Sequence, residues 1–291
     1  MVEKDILLHQ VLTDLSNDKF FAKNMLFKGG TCLIKHYLGY FRFSEDMDFT
    51  WKDQSRFEGK TAGKIRSDLS SIIDGVGRTF EGIASKRGLD FRCAKGNKNY
   101  VELGGSNKTC TFKVWYYSEV LRKKTFFKVQ INFVEEICTR PKKGELKSIF
   151  TGNQEELAAV FPEEYREYSN AIPFAMYDVG EILSEKVRAL LTREGVKARD
   201  FLDIFFISKK IGIRPEGVEE CITKKVNHAL RLYAKYRANL NAKIKLLEQG
   251  NIFEWGTEKD LLVDELDESE FYRFVGEFTG YLKTLVSKFK K

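Results

Sequence analysis

Apolar residues change their spacing repeatedly through the first half of the chain and settle into one period in the second. From Lys4 to Asn24, Ile6, Leu7, Val11, Leu12 and Leu15 recur at helical spacing and predict an amphipathic helix. The short run Met25-Leu26-Phe27 predicts a strand that ends in the turn Lys28-Gly29-Gly30-Thr31, after which Cys32 to Tyr37 resumes a helical pattern and Gly39 punctuates it. Met47 to Trp51 alternates aromatic and β-branched residues as a second strand. A helix follows over Thr61–Arg87, interrupted in pattern by Gly75, Gly77 and Gly82. Three strands are expected at Tyr100–Leu103, Thr109–Tyr117 and Phe126–Val134, the first two joined by the hairpin signal Gly104-Gly105-Ser106-Asn107. Pro141 to Tyr168 reads as a polar, irregular connection. From Tyr177 every signal is helical, with helices at Tyr177–Arg193, Ala198–Lys210, Pro215–Gln249 and Ser269–Lys290.

Strands mixed with helices come first and helices alone afterwards. This order predicts an α+β domain over residues 1–168 with a helical domain over 169–291 behind it. A length of 291 residues suits one large or two modest domains at ~100–200 residues each. No run approaches the ~20 apolar residues of a membrane span, and no signal-type apolar core follows the charged N-terminus, so the expectation is no membrane and a cytoplasmic location.

Composition narrows the chemistry. The cysteines Cys32, Cys93, Cys110, Cys138 and Cys221 are scattered without CxxC spacing, which argues against a disulfide framework or a zinc site. The only histidines are His9, His36 and His228, so a metal here is expected to rest on carboxylates, which favour Mg²⁺ or Mn²⁺. The net charge is +7, and Lys224–Leu247 alone carries seven basic residues and no acid.

Asp46 and Asp48 are the sharpest candidates. Side chains at i and i+2 of a strand share a face, so the two carboxylates project together, roughly 7 Å apart along the strand. Like charges that close call for a cation between them, and a hard divalent ion can also bridge phosphate oxygens. The alternative is a solvated strand end. Upstream, a strand running through Gly29-Gly30-Thr31 into a helix lets backbone N–H groups approach an anion.

The helical half offers a second constellation. At about 100° per residue, Ile182, Leu183, Val187, Leu190 and Leu191 form an apolar arc that includes Lys186, with Arg193 two turns on along nearly the same line. Such a lysine snorkels to water or meets an anion. Phe201-Leu202-Asp203-Ile204-Phe205-Phe206-Ile207 is apolar all round and reads as a buried helix, and Asp200 and Asp203 share one of its faces. A buried aspartate needs a partner, and Lys186 and Arg193 are nearest in sequence.

These runs carry a family resemblance. Phe27-Lys28-Gly29-Gly30-Thr31-Cys32-Leu33, followed by Arg42-Phe43-Ser44-Glu45-Asp46-Met47-Asp48-Phe49, resembles the first two motifs of the AbiEii/AbiGii nucleotidyltransferase toxins of the polymerase-β-like superfamily. Glu185 to Arg193 and Arg199-Asp200-Phe201-Leu202-Asp203-Ile204 resemble the third and fourth. The resemblance implies a nucleotidyltransferase-like mixed β-sheet domain with flanking helices and a C-terminal helical bundle that completes the active-site cleft. It implies catalytic roles for Asp46, Asp48, Lys186 and one of Asp200 or Asp203, the more apolar surroundings favouring Asp203. The metal ligands would be Asp46 and Asp48, and the nucleotide would be held by Lys28, Gly29, Gly30, Thr31, Ser44 and Arg193. The implied function is transfer of a nucleotide from an NTP to an acceptor hydroxyl, with tRNA 3′ ends as the substrate class, by the toxin of a type IV toxin–antitoxin or phage-defence system with a separately encoded antitoxin.

One position departs from the superfamily pattern. A third carboxylate is expected on a neighbouring strand, but Gln130 and Asn132 occupy that face of Phe126–Val134, with Glu135 and Glu136 just beyond. This keeps open a non-catalytic NTP- or RNA-binding module, alongside transfer to a protein or small molecule. In the Pro215–Gln249 helix, Val226, Leu230, Tyr233, Leu240, Ile244 and Leu247 share one face and Lys224, Arg231 and Lys235 lie opposite, flanked by Lys225, Lys243 and Lys245. Such a face, from Lys224 to Lys245, is either solvated or a docking surface for RNA; the lack of acids favours a polyanion.

Overall fold

A computed structural model of the chain describes residues 1–150, 155–160, 162–250 and 252–289. Strands β1 (Met25–Lys28), β2 (Asp46–Trp51), β3 (Val101–Gly104), β4 (Thr109–Ser118), β5 (Lys123–Asn132), β6 (Lys142–Leu146) and β7 (Ile172–Met176) make one mixed sheet. Their spatial order is β3-β4-β5-β2-β1-β7-β6. The β1–β2, β3–β4, β4–β5 and β6–β7 pairs are antiparallel, and β2–β5 and β1–β7 are parallel. The helices are α1 (Val2–Asn17), α2 (Lys19–Asn24), α3 (Gly29–Cys32), α4 (Ala62–Arg87), α5 (Glu155–Val160), α6 (Pro162–Ser169), α7 (Val179–Thr192), α8 (Ala198–Ile211), α9 (Glu219–Leu232), α10 (Lys235–Gln249) and α11 (Glu268–Val286). None of the described helices is long and apolar enough to cross a membrane. The α+β expectation holds, with its strands before its long helical stretch.

Contacts sort the chain into two units. The first holds Met1–Gly39, Phe43–Glu135 and Pro141–Tyr177; the second holds Tyr40–Arg42, Glu136–Arg140 and Asp178–Lys291. The first unit includes β7, which pairs with both β1 and β6.

In the first unit, alternation sets the two faces of the sheet. Met47, Phe49 and Trp51 of β2 are buried, and the Phe49 ring lies 4.9 Å from Phe21, 5.0 Å from Phe27 and 5.9 Å from Phe174. The even positions, Asp46, Asp48 and Thr50, face the other way. The helix over 62–87 forms despite its glycines: Thr61 caps its start, Gly88 ends it, and Gly77 is required because a Cβ there would come 2.6 Å from that of Cys93. In the second unit, the α8 rings Phe201 and Phe205 pack edge-on against Phe253, Phe278 and Phe271.

Three element expectations need correction. The helix foreseen over Lys4–Asn24 is broken at Asp18, whose side chain accepts from the Phe21 amide at 2.7 Å and starts α2. The Pro141–Tyr168 connection contains β6, α5 and α6, apart from residues 151–154 and 161, which lie outside the described ones. The β6 strand escaped because it is a polar edge strand with only Leu146 fully buried, and Pro173 hid β7. The helix foreseen over Pro215–Gln249 is a short 3-10 turn (Pro215–Val218) and two helices, α9 and α10, parted at Tyr233-Ala234.

Candidate active site

Register builds a row of candidate residues within the first unit. Asp48 of β2 pairs with Lys28 of β1 on one side and with Gln130 of β5 on the other, so Lys28, Asp48 and Gln130 stand in a row on one face. Asp46 lies on the same face, beside Lys128. Lys28 is 2% exposed, with its ammonium 5.5 Å from the centre of the Tyr177 ring. The Tyr177 hydroxyl donates to Thr50 Oγ1 at 3.0 Å.

Glu135 turns back towards this row. Its Oε1 lies 3.9 Å from Lys28 Nζ and accepts from Asn132 Nδ2 at 2.8 Å, while its backbone N–H donates to Gln54 Oε1 at 2.9 Å. Gln130, by contrast, holds the place beside Asp48 where the superfamily pattern expects an acid. The only group of three or more close ligand atoms from His, Cys, Asp or Glu among the described residues is Cys138, Glu181 and Cys221, in the second unit.

The glycine turn is shaped around Asp48. Gly29 has φ +77, and a Cβ on it would lie 2.9 Å from Asp48 Cβ and Cγ, so both backbone and space demand glycine. Chain and carboxylate thus approach each other with no room for a side chain between them. Thr31 is fully buried, and its hydroxyl bonds the Asp46 carbonyl oxygen and Ser44 Oγ (2.8 Å). Thr31 and Ser44, expected as nucleotide ligands, therefore tie the turn to the start of β2.

These residues fit a hard divalent ion. Asp46 and Asp48 are half-buried oxygen donors on one face, and Gln130 is the register partner of Asp48 on the next strand. Mg²⁺ is commonly held by one or two carboxylates, with water and substrate phosphates completing its octahedron.

The second unit gathers the other expected residues. Lys186 Nζ lies 2.9 Å from Asp200 Oδ1 and 2.7 Å from Asp203 Oδ2. Arg193 Nη1 reaches Asp200 Oδ2 at 2.9 Å. Arg42 grips Asp203 with two parallel bonds, Nε to Oδ1 at 2.7 Å and Nη2 to Oδ2 at 2.8 Å. Burial by itself would push both aspartates up; Lys186 and Arg193 hold Asp200, and Arg42 and Lys186 hold Asp203, below the usual carboxylate range. Burial opposes the Lys186 charge, but Asp200 and Asp203 outweigh it and raise its pKa. Both aspartates of α8 are thus engaged in buried ion pairs. Arg42 carries no sequence signal as the partner of Asp203 beyond its place between Phe41 and Phe43.

The basic segment is less exposed than its sequence suggests. Lys225 is buried, 2.6 Å from Glu181 Oε1, and Lys243 is buried and donates to the Gly195 carbonyl at 2.6 Å. Lys224 pairs with Glu220, and Arg237 donates to the Phe289 carbonyl. Lys224, Arg231, Lys235, Arg237 and Lys245 remain exposed.

Residues 10–288 match the family described as nucleotidyl transferase AbiEii toxin, type IV toxin–antitoxin system. No curated protein matches the chain. Among solved structures, MenT4, a nucleotidyltransferase toxin from Mycobacterium tuberculosis H37Rv, is similar at a TM-score of 0.53 and 17% identity, over 95% of this chain and 82% of its own. JHP933 from Helicobacter pylori is similar at 0.45 and 17%, over 98% and 93%, and a nucleotidyltransferase structure from H. pylori at 0.44 and 17%, over 99% and 97%.

Proposed function

This chain belongs to the AbiEii nucleotidyl transferase toxin family of type IV toxin–antitoxin systems, and on that premise we propose that it transfers a nucleotide from an NTP to an acceptor hydroxyl on RNA, most simply a tRNA 3′ end. The observation that carries the reading is the Lys28–Asp48–Gln130 row with Asp46 beside it and Gly29 pressed against Asp48. Asp46 and Asp48 would hold Mg²⁺ or Mn²⁺. A divalent ion there supplies neutralising charge for the triphosphate. Gly29 and Gly30 admit the phosphates close to the backbone, and Lys28 adds a fixed positive charge over the Tyr177 ring. Lys186 and Arg193 stabilise negative charge on the nucleotide. Their network joins three cations (Arg42, Lys186, Arg193) to two carboxylates (Asp200, Asp203), which leaves one positive charge in excess. The exposed residues Lys224, Arg231, Lys235 and Lys245 dock the RNA. Growth arrest of the host, as a toxin or in phage defence, and relief by a separately encoded antitoxin complete the reading.

The test is direct. The protein is incubated with Mg²⁺, each labelled NTP in turn, and total tRNA. Labelled RNA that disappears in Asp48→Ala supports the proposal. A second reading, an NTP- or RNA-binding module without turnover, is kept by Gln130 in place of an acid. Calorimetric NTP binding with no transfer to any acceptor would favour it and sink the first.

A further inference from the structure

Cys138 and Cys221 lie 83 positions apart in the chain, and nothing in their spacing pairs them. The fold does. Their sulfurs and a Glu181 carboxylate oxygen all sit within 4.8 Å of one another, inside the second unit. Cys138 belongs to the irregular segment 136–140, and Cys221 is the third residue of α9. Both are free thiols and half-buried.

A metal is the first occupant to consider, and the carboxylate argues against it. Glu181 is fully buried, and Lys225 Nζ lies 2.6 Å from its Oε1. Its Oε2 accepts from the Thr139 N–H at 2.8 Å, the Thr139 hydroxyl at 2.9 Å and the Cys138 N–H at 3.0 Å. A carboxylate offers about four lone-pair sites, and these are taken. What remains is a pair of thiols beside the Glu181–Lys225 ion pair, with Cys221 Sγ 3.9 Å from Glu181 Oε2.

The two thiols are not equivalent. The neighbouring Cys138 thiol, which donates to the Cys221 carbonyl at 3.7 Å, helped by Ser184 and Lys225 against burial and Glu181, holds Cys221 below the ordinary thiol range. The same contact, with burial, drives Cys138 up. The position of Cys221 in the first turn of a 14-residue helix adds to the thiolate's stability. Cys93 makes an internal contrast: it too is half-buried, but burial, Asp74 and Glu81 push its thiol up.

We propose that Cys221 and Cys138 form a thiol-oxidation site that reacts with small disulfides, Cys221 attacking and Cys138 resolving. The Cys221 thiolate attacks one sulfur of RSSR, a Cys221–SR bond forms, and RS⁻ leaves. Cys138 loses its proton to water, its thiolate attacks Cys221 Sγ, and the second RS⁻ leaves. Two protein thiols and one RSSR become one intramolecular disulfide and two RSH once the released protons are taken up. The sulfurs must close to about 2.05 Å, and the irregular segment around Cys138 is the side that adjusts. The product staples residues 136–140 to the first turn of α9.

The experiment uses the full wild-type chain, treated with glutathione disulfide, quenched in acid and alkylated. The expected product is lighter by two hydrogens, reverts with dithiothreitol, and yields one cross-linked peptide pair containing Cys138 and Cys221. Cys138→Ser retains glutathione on Cys221, whereas Cys221→Ser carries none on Cys138. In the untreated protein, Cys221 alkylates about tenfold faster than Cys93 near neutral pH. A wild-type mass that does not change, cross-links to Cys32, Cys93 or Cys110, or glutathione on Cys138 instead of Cys221 overturns the proposal. So does one equivalent of zinc that survives dialysis of the reduced protein and is lost in Cys138→Ser, an outcome that makes the cluster a metal centre.

Discussion

Arg42 and Asp203 are 161 positions apart in sequence and meet side-on, two nitrogens against two oxygens, with side chains 2% and 0% exposed. A planar guanidinium matched to a carboxylate is the strong form of an ion pair, and here it is shared, because Lys186 lies 2.7 Å from the same Asp203. Removing one partner from such a buried pair leaves an uncompensated charge. Asp203→Asn is expected to cost about 3–5 kcal/mol, read as a fall in the urea midpoint of unfolding. A change within ~1 kcal/mol would mean that Arg42 and Lys186 find other partners.

Gln130 stands beside Asp48 in the parallel β2–β5 ladder, where a third acid would complete the superfamily pattern. Gln130→Glu is expected to tighten Mn²⁺ binding about tenfold, roughly 1.4 kcal/mol, in a calorimetric titration. Asp48→Asn is expected to abolish the same binding while leaving the circular dichroism spectrum unchanged. If Gln130→Glu weakens binding, Glu135 already supplies the third oxygen and the new acid repels it.

Much of this site was legible in the sequence, and the reasons are local. The pairing of Asp46 with Asp48 follows from the two-residue period of a strand, and the Gly29 turn announces itself through residue type. Lys186, Asp200, Asp203 and Arg193 came together because buried charges on neighbouring helices seek each other. What the sequence withheld depends on contacts between distant segments. Arg42 precedes its partner by most of the chain, Glu135 folds back beyond the end of a strand, and Cys138 meets Cys221 across several elements. The basic segment misled in the opposite way. Charge can be counted from sequence, but burial of Lys225 and Lys243 cannot.

Gly29→Ala tests the close approach of chain and carboxylate. The left-handed backbone alone costs an L-residue about 1 kcal/mol or more, and the new Cβ would overlap Asp48. The expectation is a lower melting temperature together with loss of Mn²⁺ binding. Retained binding would show that Asp48 moves aside without consequence for the ion.

The exposed and buried lysines of the basic segment separate by assay. Arg231→Ala with Lys235→Ala is expected to weaken RNA binding evenly across sequences and to flatten the salt dependence by about two phosphate contacts, with unchanged stability. Lys225→Met strands the buried carboxylate of Glu181 and is expected to cost about 3–5 kcal/mol of stability. Unaltered salt dependence in the double variant would remove this face as the RNA contact.

His9 gives the fold a pH dependence whose sign can be worked out. The ring is fully buried, its Nε2 bonds the Asn170 carbonyl oxygen at 3.0 Å, and it packs edge-on to Tyr168. Burial first and the Lys35 charge second lower its pKa to about 4, against opposing pulls from the Asn170 carbonyl, Asp5 and Glu167. A base whose folded pKa lies below its unfolded value of about 6.5 takes up its proton more readily in the unfolded chain. Its contribution is therefore intact above pH ~6.5 and is lost as the pH falls towards ~4, by up to about 3 kcal/mol. His9→Gln, which keeps a donor for the Asn170 carbonyl, is expected to flatten the urea midpoint over that window relative to the wild type. The paired carboxylates Asp200 and Asp203, held low by their cations, lose their stabilising effect only at more acid pH. Equal slopes for wild type and His9→Gln between those limits would show that the imidazole is protonated in the folded protein.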